Sequence, residues 1–227
     1  MRIVAKFSIQ DRVKYISHLD TLRAIQRAMA RADIPVEFSD GFHPHPKFSL
    51  AFALSVGMTS EGEYMDVNLK HPMTLCEFKE DMNRVLPKGI SILEVKELAD
   101  NIPSLASMIE RAKYVIDMPY VREDMDNFLQ EFLNQGNIIV EKRSKKGIRQ
   151  IDIRDMIFSL EVAEYLSKSV KLRAILECSG QSNLNPKQLM QGIAKFADID
   201  YDESLFNIHR SEMYLYRDNS WITPLEL

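Results

Sequence analysis

Apolar residues in the first 97 positions change period in a fixed order that no single regular element satisfies. Ile3, Ala5 and Phe7 alternate, as a strand requires, and Leu19, Leu22, Ile25 and Met29 then recur at helical steps over about 18 to 32. The run Phe48 to Val56 suits a central strand buried on both faces. Residues 63 to 70 alternate again, with Met65, Val67 and Leu69 inward and Tyr64, Asp66, Asn68 and Lys70 outward. Thr74, with Glu77 three residues on, opens a second helix carrying Leu75, Phe78, Met82 and Val85, and residues 90 to 97 read as a last strand.

Strand, helix, strand, strand, helix, strand is the split βαβ order, in which two helices cover one face of a four-stranded antiparallel sheet and the other face stays open. The order begins again after a linker. Residues 114 to 118 read as a strand and Val121 to Phe132 as a helix stripe; two hairpins follow, the first around 145 to 147. Asn185 and Pro186 open a last helix, and residues 205 to 216 supply a final strand. The expected fold is therefore α+β, two tandem ferredoxin-like domains with antiparallel sheets. Their expected bounds are 1–100, a linker helix at 101–112 begun by Asn101 and Pro103, and 113–227 with an inserted hairpin.

With 227 residues, 45% of them hydrophobic, the chain can build two such cores. Its longest apolar stretch, residues 48 to 58, is interrupted by Ser49, Ser55 and Gly57, well short of the roughly 20 residues of a membrane span. The first residues lack the pattern of a secretory leader, so a cytoplasmic protein without membrane contact is expected. Cys76 and Cys178 are the only cysteines, too few and too far apart for a disulfide framework, a CxxC zinc site or an iron–sulfur cradle. No cofactor is expected. Nucleotide-loop, serine-nucleophile and metalloprotease spacings are absent as well.

The formal charge of −4 conceals an uneven distribution. Eight Lys/Arg and five Asp/Glu fall in residues 1–50, against five and nine in 51–103. The basic segment also holds the densest cluster of unusual residues. Ser17 and Asp20 have the spacing of a helix cap, leaving His18 at the first helical position. Arg23, Arg27 and Arg31 lie one helical neighbour step apart, three fork-like donors on one side, with no acid four residues from Arg27. Residues 39–47 read Ser-Asp-Gly-Phe-His-Pro-His-Pro-Lys. The prolines bias His43 and His45 to an extended conformation and lower the entropy cost of one loop shape. His43, His45 and His18 are candidates for acid–base chemistry or, with less support from spacing, for metal ligation. Phe42 suits base stacking and Lys47 a phosphate.

A second basic segment, Lys142, Arg143, Lys145, Lys146 and Arg149, would project from a hairpin as a finger. His209 and Arg210 border the last strand and are candidates to join the same surface. Each feature also has a plain structural reading: caps, a solvated helix face, a pinned loop, a charged turn.

Tyr15-Ile16-Ser17-His18-Leu19-Asp20, the phrase from Phe38 to Lys47, and Gly62-Glu63-Tyr64-Met65-Asp66-Val67 resemble the radical-SAM-linked family of bacterial proteins. Ile151 to Arg154 and Ile208-His209-Arg210 extend the resemblance more weakly through the second half. Members occur alone or behind a radical-SAM enzyme in a longer chain. This chain has no CxxxCxxC cradle, so the resemblance implies a helper or substrate-presenting role beside a radical-SAM partner. The expected function is an RNA-binding module for transfer or ribosomal RNA modification. The rival expectations are a metal-independent endoribonuclease with histidine acid and base, and a protein-interaction adaptor that never touches RNA.

Overall fold

The computed structural model describes residues 1–120, 122–144 and 147–227, those at 143 and 144 by backbone alone. In chain order the elements are β1 (Arg2–Ile9), α1 (His18–Arg31), β2 (Phe48–Leu50), β3 (Thr59–Asn68), α2 (Leu75–Val85), β4 (Ile90–Leu98), α3 (Leu105–Met108) and β5 (Ile109–Met118). There follow α4 (Met125–Leu133), β6 (Ile139–Ser144), β7 (Gly147–Asp152), β8 (Ile157–Tyr165), β9 (Val170–Glu177), α5 (Pro186–Phe196), β10 (Asn207–Arg217) and β11 (Ser220–Ile222). This is a mixed α+β chain whose strands pair mostly antiparallel.

The chain divides into two compact units, Met1–Glu110 with Arg210–Leu227, and Arg111–His209. The division falls near 110, and residues 210–227 belong to the first unit. The linker helix is shorter than 101–112. Ser104 precedes its single turn, α3, and the chain is already extended at Ile109.

In the first unit the strands lie in the order β4–β1–β3–β10, with β2 also on β3 and β11 on β10. Arg2 stands opposite Asn68 and Leu98 at one end of the sheet, and Ile9 opposite Ser60 and Ile90 at the other. One face carries Ile3, Ala5, Phe7, Ile9, Met65 and Val67, packed on Ile25, Ala28 and Met29 of α1 and Phe78 and Met82 of α2. Leu19, expected on that stripe, is exposed.

The strand expected over 48–56 ends at Leu50. Ala51 N–H still donates to Tyr64 O (2.8 Å), but beyond that point the edge of β3 is taken by β10. A Cβ built at Gly62 would lie 2.6 Å from Glu212 Cα, so glycine is what permits this approach. Displaced from the sheet, the segment after Ala51 is tied down by Arg210, whose Nη2 donates to Ala53 O (2.8 Å).

The second face of this sheet was expected to stay open, and it is closed. Tyr64 and Asp66, expected outward in water, are 1% and 5% exposed. Arg2 forks onto Asp66 (Nε to Oδ1 2.8 Å) and also donates to Pro103 O (2.9 Å) and Ile102 O, which holds the segment before α3 over the sheet. Glu212 accepts from both Lys6 Nζ and Tyr64 Oη at 2.6 Å. Lys96 Nζ donates to the main-chain oxygens of Leu225 and Leu227 (2.8 and 3.3 Å). Polar alternation therefore marks an internally paired layer here, because buried charges persist only where partners satisfy them.

In the second unit, β5–β9–β8 form the sheet, and β6–β7 pair as a separate hairpin. Phe128 and Phe132 of α4 meet Phe196 of α5, ring centroids 5.1 and 5.7 Å apart. Ile138 and Val140 rest on Gly192 of α5. No helix among the described residues is long and apolar enough to cross a membrane.

Two predictions follow from the buried pairs. Arg210 and Glu63 bond at 3.0 and 3.2 Å, both nearly inaccessible, so Glu63→Gln should cost about 3–5 kcal/mol in urea denaturation; a change under 1 kcal/mol would contradict the pairing. Burial, and next the charge of Glu212, push the Tyr64 phenol above its ordinary value of 10. The folded state thus holds this proton more tightly than the unfolded chain, a stabilisation present below pH 10 and lost as pH rises beyond it. Tyr64→Phe should flatten stability against pH above 10, as read by thermal melts across that range.

Candidate functional site

Ser17 caps α1 as its spacing implies: its Oγ accepts from Asp20 N–H (3.2 Å) and donates to Asp20 Oδ2 (2.7 Å). That hydroxyl, and next Arg23, hold the Asp20 carboxyl below its ordinary range. His18 is half-buried at the first position of α1.

The three arginines do not act alike. Arg23 reaches Asp20 (3.3 Å), and Arg31 donates to Val85 O at the end of α2 (2.8 Å), where a cation meets the negative pole of the helix. Arg27 is exposed and has no acidic partner among the described residues. The face expected to carry three free guanidinium groups therefore offers one that is wholly uncommitted.

The loop at 39–45 is a closed structure. Phe38 bridges to Pro46, Ser39 N–H donates to His45 O (2.8 Å), and His45 N–H donates to Ser39 Oγ (3.0 Å). Below it Glu37 N–H donates to Asn68 O (2.8 Å) and Lys47 N–H to Glu37 O (2.7 Å). Gly41, at φ +114°, supplies the left-handed turn. Phe42 sits next to it with its ring entirely in solvent, and Phe38, His43 and His45 are exposed as well. Lys47, expected free for phosphate, is paired with Glu37, which raises its pKa.

His18 and the two loop histidines do not form a common centre. The loop stem hangs from Asn68, at the Arg2 end of the sheet, while α1 starts beyond Ile9, at the other end. Among the described residues no group of three or more His, Cys, Asp or Glu is placed to hold a metal. Arg210 is no surface residue either, since it is buried against Glu63.

In the finger, Lys145 and Lys146 lie outside the described residues, as does the side chain of Arg143. Lys142 stands directly opposite Arg149 in the β6–β7 register, a like-charge pair that destabilises a hairpin unless an anion offsets it. At the foot of the hairpin a recess of about 760 Å³ is lined by Lys142, Asn183, Gln188, Gln191 and Tyr201 among others. Burial, and next Glu203 and Asp202, push the Tyr201 phenol up to about 12.

Sequence reasoning missed a further recess. In the first unit, Asp11, Arg12, Lys14, Tyr15, Thr59 and Lys88 surround about 860 Å³. Its residues come from three separated segments, and no spacing rule joins them.

The family model described as "Uncharacterized protein conserved in bacteria (DUF2344)" matches residues 2–186. No curated protein matches the sequence. Among solved structures, the chain is similar to one in a Cbf5–Nop10–Gar1 complex, with 12% identity, a TM-score of 0.50, and coverage of 93% of this chain and 48% of that one. A chain in an H/ACA RNP bound to a substrate RNA containing 2′-deoxyuridine matches at 14% identity and a TM-score of 0.44, covering 96% and 47%. The chain thus spans about half the length of these matched chains, and at 12% identity its likeness to the first is one of fold. The association with a radical-SAM enzyme, which the sequence resemblance implied, is not part of the family's description.

Proposed function

Since the chain belongs to the DUF2344 family of bacterial proteins, we propose from its surface chemistry that it is a non-catalytic RNA-binding module. The observation that carries this reading is Phe42, a fully exposed aromatic ring at the tip of a loop closed by its own hydrogen bonds. An exposed phenylalanine contributes nothing to the core, and a loop already held in one shape loses little entropy when a base stacks on it. His43 and His45 beside it widen the stacking platform. Arg27, Lys142 and Arg149 supply cations that form no ion pair among the described residues, and Arg143, Lys145 and Lys146 extend that charge in sequence. Arg23, Arg31 and Lys47, committed internally, contribute less. A structured RNA of the transfer or ribosomal kind fits loop stacking combined with phosphate contacts. That the RNA is held for a radical-SAM enzyme is the further part of the reading, supported by the sequence resemblance alone.

Fluorescence anisotropy with a labelled RNA hairpin across a salt series tests the module. Phe42→Ala should weaken binding about tenfold, within the roughly 1–3 kcal/mol of a stacked base. Arg27→Ala should weaken it more uniformly and make the salt dependence shallower, while Lys47→Ala changes little. Absence of binding at low salt contradicts the proposal. Cleavage of the bound RNA in EDTA, lost in His18→Ala or His43→Ala, would replace it with the endoribonuclease.

A further inference from the structure

The recess in the first unit is held open by backbone geometry that owes nothing to its charges. Gln10 N–H donates to Gly89 O (2.8 Å), and Gly57 N–H donates to Lys14 O (2.7 Å), which ties residues 10–16 to two other segments. Gly89 has φ +98°, and a Cβ there would fall 2.7 Å from Val13 Cγ2 and 2.8 Å from Gln10 O. Asp11 adopts φ +52°, costly for a residue that is not glycine, so the turn is fixed by its surroundings.

Onto this frame the sequence places Arg12, Lys14 and Lys88 with one carboxylate, Asp11. Among the described residues none of the three cations has an acidic partner. Their mutual repulsion is a standing cost that a bound anion relieves, and pre-set donors are how proteins hold phosphate. Tyr15 adds a second kind of recognition. It is 65% exposed, and the Lys14 ammonium lies 5.2 Å from its ring centroid, which leaves an aromatic surface beside the cations. A ring for stacking next to donors for phosphate matches the two halves of a nucleotide. The volume of about 860 Å³ falls within the roughly 300–1,000 Å³ of small-ligand sites.

We propose that this recess binds a nucleoside monophosphate unit, its phosphate on Arg12, Lys14 and Lys88 and its base on Tyr15. The unit is either one residue of a single-stranded RNA or a free nucleotide; the first alternative rests on the RNA-binding reading. Titration calorimetry of the full chain with uridine monophosphate, inorganic phosphate and a short oligouridylate separates these sources. Uridine monophosphate should bind more tightly than phosphate. Arg12→Ala with Lys88→Ala, and separately Tyr15→Ala, should each weaken it about tenfold, and Tyr15→Phe should retain it, since only the ring is needed. All three residues are surface groups, and circular dichroism verifies that the variants fold. Binding of phosphate or polyglutamate as tightly as of the nucleotide, or equal affinity in Tyr15→Ala and wild type, overturns the site. If hairpin RNA binds wild type but uridine monophosphate does not, the recess proposal fails and the RNA module stands. If uridine monophosphate binds at the recess and no RNA does, the recess stands as a free-nucleotide site and the module fails.

Discussion

The bidentate pairing of Arg2 with Asp66, and the Lys6–Glu212–Tyr64 group beside it, determine what the first unit presents to solvent. A sheet with helices on one face ordinarily offers its other face for binding. Here that face bears charged and phenolic side chains that are removed from water, and each is stable there only because another saturates it. Arg2 spends its remaining donors on Ile102 and Pro103, so the pairing of the sheet and the covering of the sheet are one event. Lys96 fixes the last residues of the chain in the same way. On the proposed reading, recognition falls to the ends and edges of the unit, where the 39–45 loop and the Arg12–Lys88 recess lie.

The position of β10 follows from the same economy. Gly62 lets it approach β3, Arg210 reaches Glu63, and Glu212 completes the polar layer. By occupying the β3 edge it displaces residues 52–58 from the sheet, which leaves β2 three residues long. Helix ends and loops near that edge are then fixed by main-chain bonds and left-handed turns, the kind of rigidity that allows exposed aromatic and cationic groups to act without prior ordering.

Periodicity made much of this legible. The bounds of α1, α2 and α5 agree with capping residues Ser17, Thr74 and Asn185, because caps are local and their partners lie within four residues. Long-range pairing was not legible. Alternation at 63–70 has the same signature whether Tyr64 and Asp66 meet water or Arg2 and Glu212, and only the fold decides between them. The apolar run at 48–56 looked like a strand, yet its edge was claimed by a segment some 160 positions later. Arg31 and Lys47 looked free for the same reason: Val85 O is not visible in a charge pattern, and Glu37 lies ten residues from Lys47 across a loop. The Arg12–Lys88 recess joins three segments, so no window on the sequence could contain it.

The central claim is that binding belongs to the loop and the recess and not to the sheet face. Photocrosslinking of the protein to RNA, with the attached peptides mapped by mass spectrometry, tests it most directly. Crosslinks concentrated on the peptides carrying Phe42 and Tyr15, with β1 and β3 unlabelled, are the predicted result. Labelling of the peptides that carry Lys6, Tyr64 or Asp66 would mean that the covered face opens to RNA, and would contradict the account.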